Sequence, residues 1–151
     1  MLTFDVEPYS MVIPEMKAIY PEHWEELAFD KDIIELDPDY EAYNKMDKAG
    51  LIHVVTARFN NELVGYFIFC INFALHYKRS LTAHYDIFYL RKKYRKGRNG
   101  IDFIRFAEQS LIEKNVQKIY TGVKLPHDFG LVFERLGYRP TERIYTKILT
   151  P

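Results

Sequence analysis

The sequence predicts an α/β (α+β) fold: a mixed, mostly antiparallel sheet with helices on both faces and a central parallel strand pair. Three observations carry this. Three segments rich in β-branched and aromatic residues follow one another between residues 51 and 90, the pattern of an antiparallel meander. A segment of helical periodicity, 100–114, separates the third of them from another strand-like run, and a strand–helix–strand crossover implies a parallel pair. Further helical stretches precede the meander and follow the parallel pair.

Leu2–Val6 alternates and reads as a short strand. SMVIPEMKAIYPEHWEELAF is helical, with Ile13, Met16, Lys17 and Tyr20 at helical spacing; Pro21 is expected to break or kink it, leaving His23–Phe29 as a second piece. In DPDYEAYNKMDKAG, Asp37 is the expected N-cap and Pro38 the first helical residue, with Gly50 just past the last turn. Tyr40, Tyr43 and Met46 then share one face.

LIHVVTARF is a strand, Asn60-Asn61 a tight turn, and LVGYFIFCINFALHY a long apolar strand with a bend. LTAHYDIFYL is the third strand, in which simple alternation puts residues 84, 86, 88 and 90 on one face. Gly100–Lys114 carries Ile101, Ile104, Ala107, Leu111 and Ile112 as an apolar stripe, and Asn115 ends it. KIYTGV is a short strand. HDFGLVFERLGY is a helix closed by Gly137, and RIYTKIL alternates as a final strand.

The chain of 151 residues fits one domain, residues 1–151. At this length about two thirds of the unfolded surface is buried on folding, and 12 Tyr with 11 Phe supply large core side chains. The lone Cys70 has no internal disulfide partner and reads as a small hydrophobe in a reducing compartment. Met1–Ser10 carries acids and no base, so no signal peptide is expected. No apolar run reaches about 18 residues, so neither a membrane span nor a membrane partner is expected, and the cytoplasm is the expected compartment. The histidines show no ligand spacing and there is no cysteine set, so no metal is expected.

Net charge is zero but uneven. Residues 1–50 hold 13 acids and 4 bases, whereas 51–151 hold 17 bases and 8 acids. That asymmetry argues against a general nucleic-acid binder, whose field is positive overall, and fits one local anion site in the second part. The richest basic stretch is YLRKKYRKGRNG, in which six of the eight residues from Arg91 to Arg98 are basic. It lies between a strand and a helix. The first N–H groups of a helix lack internal partners, the helix dipole adds positive charge, and glycine lets backbone approach a ligand, so such a junction suits a phosphate. Neither the Walker spacing nor G-x-G-x-x-G is present.

At this point the residues resemble a known family. Tyr94-Arg95-Lys96-Gly97-Arg98-Asn99-Gly100 looks like the acetyl-CoA loop of the GNAT superfamily of N-acetyltransferases, roughly [QR]-x-x-G-x-[GA]. Arg95 fills the first position and Gly100 the last. Arg98 stands where the middle glycine belongs, with Gly97 one place earlier. Phe133-Glu134-Arg135-Leu136-Gly137-Tyr138 resembles the Y-E-K-L-G-F end of the family's last helix. The element order matches over residues 2–149. HYK, the YRKGRNG loop and FERLGY together also resemble GNAT-like proteins carried by bacteriophages, which implies the host cytoplasm.

The resemblance implies acetyl-CoA as cosubstrate, an amine acceptor (a small molecule or a protein lysine), and transfer by direct attack on the thioester. It implies that strands 81–90 and 118–123 splay apart around the pantetheine arm. Tyr89, Leu90 and Arg91 would offer backbone groups to that arm, with an oxyanion-type contact near Leu90. Backbone N–H groups of Arg95, Lys96, Gly97, Arg98, Asn99 and Gly100 would hold the pyrophosphate, and Lys93, Lys96 or Arg98 would meet the 3′-phosphate. A general base is required because an ammonium is not a nucleophile; Asp86 is the first candidate and His84 the second, both expected on the face of Leu90. The family's general-acid Tyr falls on Phe133, which has no proton to give, so Tyr138, Tyr120 or water is expected to serve. His127 or Asp128 is expected to cap the last helix, and Trp24, Tyr40 and Tyr43 to sit in the core or along the acceptor side. The acidic first third implies a cationic amine. Two other readings are a catalytically degenerate binding or regulatory module on the same fold, and nucleic-acid binding through Arg91–Arg98, the least favoured. Exposed sheet edges allow a homodimer.

Overall fold

In a computed structural model that describes residues 1–149, the chain forms a five-stranded sheet in the order β1-β2-β3-β4-β5. The strands are β1 (Thr3–Val6), β2 (Ile52–Phe59), β3 (Glu62–Ala74), β4 (Tyr77–Leu90) and β5 (Lys118–Tyr120), and the helices α1 (Tyr9–Leu27), α2 (Tyr40–Lys48), α3 (Asn99–Glu113) and α4 (Gly130–Arg135). The first four strands pair antiparallel, and β4 pairs β5 in parallel across the α3 crossover. This is the mixed sheet expected from the sequence.

Period-two alternation in β3 builds two cores. Phe67, Phe69 and Ile71 face one side, where Phe103, Ile104, Ala107 and Leu111 of α3 and Phe133 of α4 cover them. Tyr66 and Ile68 face the other, under Tyr9, Val12, Met16, Ile19 and Tyr20 of α1. Tyr9, Val12 and Met16 are fully buried, Val12 and Met16 each stabilising the α1–sheet contact by about 1.5–3 kcal/mol. Asn60 and Asn61 both take positive φ (50° and 67°) in the two-residue turn joining Phe59 to Glu62, as the side-chain amides of Asn permit.

Several sequence expectations are corrected. Pro21 does not break α1, which contains both Pro14 and Pro21. The carbonyls these prolines leave without a helical donor belong to Ser10 and Lys17, both exposed to water, and the apolar face runs on uninterrupted. The N-cap of α2 is Asp39, not Asp37: its carboxylate accepts from Ala42 N–H at 2.9 Å. The long segment 63–77 is not one strand, since Leu75 and His76 form a hairpin turn from which β4 begins at Tyr77. β5 ends at Tyr120 rather than Val123. RIYTKIL joins no strand: residues 139–149 lie outside the sheet, with Ile144, Tyr145 and Leu149 exposed. Alternation makes a segment able to pair, but pairing needs a partner edge.

No helix among the described residues is long and apolar enough to cross a membrane.

Candidate active site

The site begins where β4 and β5 part. Their pairing runs only through Thr82↔Lys118, Ala83↔Ile119 and His84↔Tyr120. Past that point the Tyr85 ring lies against Gly122; a Cβ there would meet the Tyr85 hydroxyl at 3.0 Å, tighter than an ordinary contact, so a side chain would have to push the ring aside. The strands diverge around it, and among the described residues the edge of β4 from Tyr85 to Leu90 has no strand partner on that side. A cavity of about 400 Å³ opens here, lined by Tyr20, Trp24, Tyr43, Asp86, Phe88 and Val123 among others, a size usual for a small-molecule site.

A bulge sets the chemistry of β4. Ile68 pairs with Ile87 and Phe69 with Tyr85, so Asp86 is the extra residue. The bulge reverses the alternation. Leu81, Ala83 and Tyr85 face α3, and so do Phe88 and Leu90, whereas Ile87 and Tyr89 face α1. The expectation that residues 84, 86, 88 and 90 share a face is therefore wrong. Asp86 points to the α1–α2 side, where the Tyr43 hydroxyl donates to Oδ2, and His84 pairs across with Cys70 of that same side. Neither shares a face with Leu90. His84 stacks on Tyr120, with ring centroids 4.2 Å apart and planes 6° from parallel.

Beneath the cavity lies a polar cluster that sequence reading missed. The His23 ring stacks on Tyr89 at 4.6 Å and its Nδ1 lies 2.8 Å from the Tyr66 hydroxyl. Burial pushes the imidazole down to about 4. The Tyr89 hydroxyl lies 3.0 Å from Glu22 Oε1 and from Glu26 Oε2, and its one proton serves one of them at a time. Burial opposes the charge of Glu26, yet bonds from Arg95 and Tyr89 hold its carboxyl below the usual range. The only sequence signal was the i, i+4 spacing of Glu22 and Glu26, which reads as an ordinary solvated helix face.

The basic loop caps this cluster. The Arg95 side chain turns inward: Nη1 and Nη2 bond Glu26 at 2.5 and 3.0 Å, and Nε donates to Leu90 O. Arg91 likewise bonds Glu22 at 3.1 Å and Glu62 at 3.0 Å, and its N–H donates to Val64 O. These arginines brace the loop against α1 and β3. Lys96 and Arg98 remain outward, Arg98 with a 3.5 Å contact to Asp102. Gly97 adopts φ +59°, a conformation natural to glycine. The Asn99 side chain bonds Tyr94 O at 2.9 Å. Among the described residues, the N–H groups of Lys96, Gly97, Arg98 and Gly100 meet no acceptor of the chain. Their clustering at the start of a 15-residue helix is the arrangement that binds phosphate oxygens.

On the α4 side, Phe133 is buried between Phe129 (5.5 Å) and Tyr138 (5.1 Å). Tyr138 packs into the α3 core, and burial together with the Glu108 carboxylate pushes its phenol up. The structure does not bring Tyr138 to the face that Asp86 occupies. The N-cap of α4 is Phe129, not His127 or Asp128, and has no side-chain cap; Asp128, one residue earlier, accepts from Gly130 N–H at 2.7 Å. Trp24 and Tyr43 line the cavity, while Tyr40 packs against the α1 core. No group of three or more His, Cys, Asp or Glu among the described residues is arranged to hold a metal.

No protein-family model and no curated protein sequence matches the chain. Solved structures do. An aminoglycoside acetyltransferase from an uncultured soil metagenomic sample, in complex with sisomicin, superposes with a TM-score of 0.73 at 16% identity, covering 99% of this chain and 96% of that one. The ribosomal-protein-alanine N-acetyltransferase of Brucella melitensis biovar Abortus 2308 gives 0.72 at 13%, covering 99% and 100%. A Clostridium acetobutylicum protein described as a predicted acetyltransferase, solved with acetyl-CoA, gives 0.71 at 13%, covering 99% and 97%. The chain has the fold of these acetyltransferases over nearly its whole length.

Proposed function

We propose that this protein, built on the GNAT-type acetyltransferase fold, is a cytoplasmic acetyl-CoA-dependent N-acetyltransferase. The observation that carries the reading is the splay of β4 from β5, flanked on one side by the loop of unpartnered N–H groups and on the other by a cavity holding Asp86. A nucleotide diphosphate at the loop and a thioester in the gap fit that arrangement, and fold likeness adds to it without settling activity.

The residues take these roles. N–H groups of Lys96, Gly97, Arg98 and Gly100 bind the pyrophosphate, and Lys93, Lys96 or Arg98 meets the 3′-phosphate. The free edge of β4 near Tyr89 and Leu90 aligns the pantetheine arm. Asp86 takes a proton from the acceptor ammonium. The freed amine attacks the thioester carbon, a C–N bond forms, the C–S bond breaks, the thiolate receives a proton from Tyr138 or Tyr120, and the second proton shed by the new amide nitrogen passes through water to that phenolate. Glu35 and Asp37 at the cavity wall favour a cationic acceptor such as a polyamine, an aminoglycoside-like compound or a lysine side chain. The test follows free thiol released from acetyl-CoA across a panel of such amines. Turnover that disappears in Asp86→Asn supports the reading; CoA binding without turnover on any amine contradicts it.

One observation favours a second reading. Phe133, buried among aromatic rings at the position of the family's acid, leaves the site with no phenol there. A catalytically degenerate binding module on this fold predicts that a stably folded Asp86→Ala variant keeps its biological effect.

A further inference from the structure

Two exposed segments of this chain complement each other in charge and in apolar content. Residues 28–39, between α1 and α2, carry Asp30, Asp32, Glu35, Asp37 and Asp39 against Lys31, with Ile33, Ile34 and Leu36 exposed. Residues 139–149 carry Arg139, Arg143 and Lys147 against Glu142, with Ile144, Tyr145 and Leu149 81, 83 and 84% exposed. Among the described residues, Asp32, Glu35 and Asp37 make no ion pair, and neither do Arg139, Arg143 and Lys147. Isolated apolar residues at a surface need no explanation, but several together beside matched unpaired charges mark an interface.

We propose that the two segments meet between two copies of this chain: the basic tail of one copy docks on the acidic segment of the other, and reciprocally, in a twofold dimer. The own-chain segment is not the occupant, because the tail leaves α4 at Tyr138, whose ring is held on Phe133, and residues 139–147 are all exposed. A twofold arrangement makes the contact twice, gathering six large apolar side chains and six unpaired charges from each copy. Glu35, Leu36, Asp37 and Pro38 also line the cavity, so the partner's tail would back the acceptor wall. That consequence rests on the acetyltransferase reading; the dimer does not.

Sedimentation velocity on the full chain tests the dimer, with a crosslink to define its contact. Wild type is expected to dimerise, more weakly as salt rises. Ile144→Asp, at a side chain the monomer does not bury, is expected to raise the dissociation constant at least tenfold with thermal stability of the monomer unchanged. In a Cys70→Ala background, mixing an Ile34→Cys chain with an Ile144→Cys chain is expected to give a disulfide between chains under mild oxidation. A monomeric wild type, a dimer indifferent to Ile144→Asp, or a disulfide that forms only within one chain carrying both cysteines overturns the proposal. A dimer without turnover would reject the enzyme reading and leave this one standing.

Discussion

The Tyr43 hydroxyl donates to the Asp86 carboxylate, tying α2 to the bulge of β4. The Tyr43 ring is held in turn by stacking on Tyr9, with centroids 4.8 Å apart, so the carboxylate's position is fixed by two helices and a strand. Asp86 is the one residue of β4 that the bulge frees from strand pairing, and Tyr43 restrains it.

This pair makes two separable predictions. Asp86→Asn removes the proton acceptor and should lower kcat by about 10²–10⁴. Tyr43→Phe removes a hydrogen bond to a charged group at a solvent-exposed carboxylate, a loss of about 1.5 kcal/mol, and should lower kcat by about tenfold while leaving CoA affinity intact. Steady-state kinetics with parallel calorimetry distinguishes the two. Equal losses in both variants would mean that Asp86 acts only through Tyr43, as a structural group.

The departing thiolate has two phenols to draw on. Tyr120 stacks on His84 beside the gap, whereas Tyr138 is packed against Phe133 and Glu108. Tyr120→Phe should slow turnover more than Tyr138→Phe if the acid acts from β5, and the reverse order assigns it to Tyr138. If neither change exceeds about twofold in kcat, the proton comes from water. Phe133→Tyr would place a hydroxyl in a buried aromatic site and should cost about 1–3 kcal/mol of stability unless it finds an acceptor.

Two histidines make the fold acid-sensitive. Burial pushes His23 and His53 down to about 4. Ser110 donates to Ala107 O at 2.9 Å, so it accepts from His53 Nε2 at 2.8 Å. Protonation would therefore put a proton on His53 Nδ1, which is buried without a partner. Because the folded values lie below the unfolded one, near 6.5, the unfolded chain binds more protons in between. Stability is full above about pH 6.5, falls as pH drops, and levels off below about pH 4. The loss is about 3 kcal/mol for each histidine. Urea unfolding at pH 7 and pH 4 checks this, and His53→Gln should remove roughly half of the dependence.

Much of this was legible in the sequence because local rules and tertiary structure agree there. Asn60-Asn61 sits where the turn needs positive φ, the Ile104–Ala107–Leu111 stripe packs inward, and the basic loop joins strand to helix as its position implied. The rest depended on facts that no local window holds. Alternation carries no sign of a bulge, so the facing of Asp86 and His84 relative to Leu90 came out wrong. Pro21 looked like a break because a sequence does not say that the freed carbonyl faces water. Arg95 looked like an anion ligand because Glu26 is remote in sequence, and only the fold brings the two to 2.5 Å.

Whether the start of α3 holds the diphosphate of a CoA thioester is read directly by calorimetric CoA binding to wild type and to Gly100→Asp. A side chain at Gly100 meets open space, with nothing within 4 Å, and a carboxylate in the first turn favours the helix, so folding should be unaffected or slightly strengthened. The same carboxylate would lie among the N–H groups that the diphosphate needs. Wild type is expected to bind CoA, and Gly100→Asp, at equal thermal stability, to bind at least tenfold more weakly. Equal affinity in the two proteins, or no binding by wild type, would contradict it.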